Sequence, residues 1–285
     1  MQVEIIHDSG ATLGEGPAWD AKTQTLYWVD ILEKRVHYHR GDEGGFIQLD
    51  EMPGCVVPAK DGTLLIAASA SFLDIQPATG KQAILASVDE PTNNRFNDGK
   101  CDPAGRFLVG SMNKDEKTPS GVLYSFDGQI VARLLDGIRI SNGLAWSSDY
   151  KTLYYIDTPT REVKAFDYNL SNGRIAKPRV AISVPKALGW PDGMTSDMDG
   201  NLWIAMWGGA QITRWNPNSG ELLEKIPLPA KNVTSCVFGG ETLNELYITS
   251  ARVGLGDADI AAYRYSGSLM HVQTEVRGMP TFEFG

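Results

Sequence analysis

One hairpin is written six times along this chain of 285 residues, and no other feature restricts its possible folds as much. In each copy a turn rich in Asp, Gly, Pro or Ser leads into a short apolar strand: DAKTQTLYWV, KDGTLLIAA, DPAGRFLVG, SSDYKTLYYI, DMDGNLWIA and GGETLNELYIT. The first apolar residue of that strand is Leu26, Leu64, Phe107, Leu153, Leu202 and Leu246 in turn, at spacings of 38 to 49 residues. Gly and Asx supply the tight backbone that a hairpin turn demands. Aromatic and branched residues supply the strand. Shorter segments follow, among them KRVHYHR, FLDIQPATGK, GVLYSFDG, EVKAFDYNLSNG and QITRWNPNSGE, ending as a third strand entering a fourth would.

Units of this period with three or four strands each match propeller blades. Convincing helical periodicity is absent over any window of about 12 residues. The expected fold is therefore all-β: a six-bladed β-propeller of four-stranded blades around a central channel, with residues 1–285 in one domain. The first strand, Gln2 to Ile6, precedes the first hairpin and has no partner of its own. It is expected to complete the last blade beside strands near residues 260 to 284. A pair of β-sandwiches or a seven-bladed ring are the alternatives, and a seventh copy of the hairpin is missing.

Charge and composition narrow the function. A net charge of −9 argues against a nucleic-acid partner, which needs a basic face to displace counterions. It leaves room for a small cavity that binds a cation. No apolar run approaches the roughly 18 residues of a membrane helix, so no membrane partner is expected. The opening MQVEIIHDSG lacks the basic start and apolar core of a signal peptide. Cys55, Cys101 and Cys236 are odd in number and far apart, and read as buried thiols of a reducing, cytoplasmic compartment. Nothing in the sequence reports an oligomeric state.

In a propeller the first strand of each blade faces the axis. Those strands precede the turns above, and in register they read Glu15-Gly16-Pro17, Val56-Val57-Pro58, Asn97-Asp98-Gly99, Asn142-Gly143-Leu144, Asp192-Gly193-Met194 and Ser235-Cys236-Val237. Four of the six carry Glu, Asn, Asn or Asp at matching places. Carboxylates brought together in a narrow channel need a compensating cation or proton. Every one of these side chains offers oxygen, which suits a hard divalent ion: Ca²⁺ first, with Mg²⁺, Mn²⁺ or Zn²⁺ as alternatives. Glu15 and Asp192 would neutralise it and Asn142 would serve as a neutral ligand. The competing reading is turn chemistry, since Asp61-Gly62, Asp102 and Asp199-Gly200 carry the same residue types in plain turns. Trp190, Trp203 and Trp207 can edge a pocket, although tryptophan at strand positions usually packs between blades.

Several blocks, LGEGPAWD (Leu13 to Asp20), NNRFNDGKCDPAGRFLVGSM (Asn93 to Met112), ISNGLAWS (Ile140 to Ser147), PDGMTSDMDGNLWIA (Pro191 to Ala205) and CVFGG (Cys236 to Gly240), resemble the senescence-marker-protein/gluconolactonase family of regucalcin-like sugar lactonases. The resemblance spans the chain with the blocks in family order. It implies a divalent metal on the axis of a six-bladed propeller and hydrolysis of aldonolactones. By matching motif it implies Glu15, Asn142 and Asp192 as metal ligands, and Arg95 and Asn97 as residues that hold the substrate. Asp115 falls on a variable loop where relatives carry an acidic residue near the sugar.

No Ser stands in a G-x-S-x-G setting, and His7, His37, His39 and His271 lie outside the axial register. Metal-assisted attack of water on the lactone carbonyl is the chemistry that remains, with Asp192 the candidate base. Three rivals are a phosphotriesterase on the same metal site, a non-enzymatic calcium-binding regulatory propeller, and a protein-binding scaffold. Specificity is expected to reside in the loops 113–120, 186–190 and 252–258.

Overall fold

A computed structural model of the chain describes residues 2–285. Each of the six apolar strands marked by the repeat is the second of four in its own antiparallel sheet. The six residues that the repeat aligns, from Leu26 to Leu246, are no more than 1% exposed. These strands are hydrogen-bonded on both edges and covered on both faces, so they read as nearly continuous apolar runs. The fourth strands lie at the rim and are polar; Gln82–Ser87, for example, is almost wholly exposed.

Among the described residues there are six four-stranded sheets, which make six blades. Five follow chain order from inner to outer strand. The sixth takes Asn232–Gly239, Glu245–Ala251 and Leu269–Gln273, and its outer strand is Val3–His7 from the start of the chain. Val3 sits opposite Val272 and Ile5 opposite Met270. This pairing closes the ring with residues from both ends and hides an edge that would otherwise be free. The segment expected to be strand between 260 and 284 is mostly something else. A short helix, Asp257–Ala262, precedes the strand Leu269–Gln273. Residues 279–285 then run beneath the ring, where Met279 N–H donates to Ser196 O, Phe284 N–H to Pro58 O, and Gly285 N–H to Gly105 O. Among the described residues no helix is long and apolar enough to cross a membrane.

The core is divided in the same way as the sequence. Six apolar clusters form, each shared by two neighbouring blades; Cys55, Leu65 and Phe72 of the second blade, for instance, meet Phe96, Phe107 and Phe126 of the third. Cutting one such ring out, as in Phe107→Ala, would cost about 3–5 kcal/mol.

What positions the site is an irregularity at the same level of every inner strand. The ladder slips between Glu15 and Ala18, Pro53 and Cys55, Phe96 and Gly99, Asn142 and Leu144, Pro191 and Met194, and Val233 and Ser235. Such bulges turn a side chain out of the pleat, here at one level of the ring. They also bring adjacent inner strands close. A Cβ on Gly54 would lie 2.5 Å from Asn97 O, and one on Gly193 would overlap the Ser235 side chain. In the second and sixth blades the slip falls at Gly54 and Thr234. The register read from sequence is therefore displaced there: Val56 lies in the core between the first and second blades.

Candidate functional site

A cavity of about 760 Å³ opens at one end of the channel, and Glu15, Arg95, Asn97, Asn142 and Asp192 all border it. They come from the inner strands of the first, third, fourth and fifth blades, and each is at most 9% exposed. None of the four histidines borders the cavity. Asp115 does not border it either. Its carboxylate is occupied by its own turn, accepting from Lys117 N–H, Thr118 N–H and the Thr118 hydroxyl. Those bonds, the Thr118 amide first, hold it below the usual carboxylate range. Its neighbours Lys114 and Glu116 line the cavity in its place. Trp190 and Trp207 line it too, whereas Trp203 is buried and meets Phe238 edge to face. The cavity also takes residues from each loop singled out as a seat of specificity: Lys114 and Glu116, Trp190, and Val253 and Gly254.

A one-way chain of hydrogen bonds fixes the amides on the floor. Arg95 Nη1 donates to Asn97 Oδ1 (2.6 Å), and Asn97 Nδ2 to Asn142 Oδ1 (3.0 Å) and Ser141 O (2.7 Å). Asn142 Nδ2 donates to Thr158 Oγ1 (2.8 Å), and Thr158 Oγ1 to Pro191 O (2.8 Å). Guanidinium only donates and a carbonyl only accepts, so both ends of the chain are set and neither amide can flip without losing bonds. Asn142 is thereby held with its oxygen toward Asn97 and the cavity, one lone pair still free. Thr158, which lies just past the second strand of the fourth blade, carries no mark of the repeat and was not foreseen.

The carboxylates are under strain of a different kind. Glu15 is pushed up to about 8 by burial and then by the Asp98 charge. Asp192 is driven well above the carboxylate range by burial, with the charges of Glu15 and Asp98 adding to it. Burial also raises Asp98. Glu15 and Asp98 each fold back onto the N–H of the following glycine, at 2.9 and 2.8 Å. Asp192 Oδ1 and Asp98 Oδ2 are buried without a hydrogen-bond partner. Two cations face them: Arg95, lowered by burial, and Lys100, also lowered by burial, which crosses the channel from the third blade to donate to Met194 O in the fifth.

Buried oxygens without partners are rare in folded proteins and ask for a ligand. Among the described residues no three His, Cys, Asp or Glu side chains are placed to hold a metal ion between them, so a neutral ligand is needed. The available donors are two carboxylates, Glu15 and Asp192, and the amide oxygen of Asn142. Such an all-oxygen set of charge −2 fits a hard divalent cation and offers nothing to a soft one.

Residues 13–252 match the family described as SMP-30/Gluconolactonase/LRE-like region. Regucalcin from Danio rerio is 35% identical over 290 residues, covering 100% of this chain and 98% of that protein. A luciferin-regenerating enzyme superposes with a TM-score of 0.92 at 33% identity, over 99% of both chains. The calcium-binding protein regucalcin from Agrobacterium tumefaciens superposes at 0.94 with 27% identity, over 99% of this chain and 96% of that one. The chain belongs to the SMP-30/gluconolactonase/regucalcin-like family.

Proposed function

We propose that this protein is a divalent-cation-dependent lactonase that opens an aldono-1,4- or 1,5-lactone to the aldonic acid. One observation carries the reading. Glu15, Asn142 and Asp192 border one cavity, and the Asp192 oxygen buried there lacks a partner. The family, whose description includes gluconolactonase, supplies the reaction class.

Glu15, Asn142 and Asp192 would hold the cation, which when bound supplies Lewis-acid polarisation of the carbonyl and a more acidic water. Arg95, donor-only and buried, orients the lactone by its oxygens, and Asn97, pinned between Arg95 and Ser141 O, keeps the floor rigid. Asp192 accepts the proton of the attacking water as the new C–O bond forms. The acyl–oxygen bond of the ring then breaks, and the same proton passes to the departing ring oxygen. Arrangement matters here because a displacement of about 1 Å can cost on the order of 10²-fold. Cys55, Cys101 and Cys236, all buried and unpaired, support placing the protein in the reducing cytoplasm.

The test is chelation followed by add-back of Ca²⁺, Zn²⁺, Mg²⁺ or Mn²⁺ across a panel of aldonolactones, with acid release recorded. Release that stops on chelation and returns with one of these ions is the expected result. Equal release with and without cation would end the reading. The calcium-binding relative supports a second reading, cation binding without turnover; uptake of Ca²⁺ with no lactone or phosphotriester cleaved would select it.

A further inference from the structure

Above its polar floor the cavity wall is largely apolar, with its exposed charges confined to one side, where Met112, Ile140 and Pro159 also line it. Trp190 and Trp207 of the fifth blade, Val253 in the loop after the second strand of the sixth, Leu13 and Leu32 of the first and Met52 before the second border the cavity. Those blades are consecutive in the ring, so the six residues form one apolar arc. The exposed charged groups on the wall, Lys114, Glu116 and Arg139, all come from the opposite side, beside the third blade. At the mouth of the arc Leu32 and Trp190 are each 42% exposed. Trp190 is also braced. The Arg161 guanidinium sits 3.6 Å from its ring centroid while Arg161 Nη1 donates to Gly189 O at 2.7 Å. A braced indole makes a rigid apolar contact surface at little entropic cost.

A sugar lactone can lay the C–H face of its ring on one indole, but its hydroxyls leave it nothing to bury against the rest of the arc, Val253, Leu13, Leu32 and Met52. The volume, about 760 Å³, is that of pockets that enclose ligands larger than one sugar. We propose that the preferred substrate is an amphiphilic lactone: a polar ring held by the floor and the charged side, bearing an alkyl or aryl group that lies along the arc from Trp190 to Leu32. This rests on the lactonase reading for the reaction and goes beyond it in naming the substrate class.

Two series test it. In the first, the cation-loaded protein hydrolyses γ-lactones carrying unbranched chains from methyl to heptyl, with glucono-1,5-lactone alongside. The expected kcat/KM rises about fourfold per added methylene until the arc is covered, and Leu32→Ser removes severalfold of the gain for the longest chain. In the second, calorimetry follows binding of the matching γ-alkyl lactams, which share ring and chain but resist hydrolysis. Affinity that climbs with chain length supports the proposal even if no lactone is turned over, in which case only the lactonase reading falls. Affinity and kcat/KM that stay flat with chain length, or no lactam binding at all, overturn it even if gluconolactone is hydrolysed well.

Discussion

Two groups of buried carboxylates occupy this propeller, and they differ in their partners. Asp102 and Asp197 sit in the turns after the inner strands of the third and fifth blades and are fully buried. Asp102 accepts from Ala104 N–H, Arg106 N–H, Arg106 Nε at 2.7 Å and the Tyr168 hydroxyl. Asp197 accepts from Asn201 N–H, Trp203 Nε1 and Arg214 Nε, the last at 2.8 Å. Glu15, Asp98 and Asp192 are buried to almost the same degree, yet Asp98 and Asp192 each keep an oxygen with no partner. A buried carboxylate with an arginine and at least two further N–H donors is part of the scaffold. One left short of donors among other carboxylates marks the place for something else.

Substitutions at Asp192 and Asp102 should separate the two groups. Asp192→Asn keeps shape and removes the proton acceptor, so turnover should fall at least about 10³-fold. Because burial beside Glu15 and Asp98 already disfavours the charged form of Asp192, the uncharged amide should let the cation-free variant melt no lower than wild type. Full turnover by a folded Asp192→Asn protein would take that residue out of the mechanism. Asp102→Ala should do the reverse. It strands the Arg106 guanidinium and the Tyr168 hydroxyl, and should cost about 3–5 kcal/mol in denaturant unfolding, while the molecules that stay folded keep their turnover. A loss of activity in Asp102→Ala with stability unchanged would erase the distinction.

The repeat made the fold legible because every blade had to bury the same strand, so Leu26 and its five counterparts kept their chemistry. Residues that border the cavity were legible where a bulged inner strand placed a carboxylate or amide beside glycine, as at Glu15, Asn142 and Asp192. Asp102 offered the same residue type in a plain turn, and only the Arg106 and Tyr168 bonds show that it is spent. Sequence could not locate the bulge of the second blade at Gly54, because the apolar run Cys55-Val56-Val57 fits the axial and core registers equally well. Nor could it choose among Lys114, Asp115 and Glu116, where a single turn decides which side chains reach the cavity. Trp190 and Trp203 are both strand tryptophans, and only the position of Trp190 at the start of its strand leaves it at the mouth.

The smallest effect tests the floor itself. Thr158 accepts from Asn142 and donates to Pro191 O, and it touches neither Glu15 nor Asp192 by hydrogen bonds. Thr158→Val preserves its shape but leaves the Asn142 amide and the Pro191 carbonyl without partners, so only the bond from Asn97 still fixes which way Asn142 turns. Positioning bonds of this kind, one step removed from a ligand, are worth about 10–100-fold in cation affinity. Calorimetric titration with Ca²⁺ should show a loss of that size for Thr158→Val, whereas Thr158→Ser, which keeps the hydroxyl, should bind close to wild type. If both variants bind Ca²⁺ as tightly as the parent, then Arg95 and Asn97 alone suffice to aim the Asn142 oxygen, and the chain of bonds ends one residue sooner than the geometry indicates.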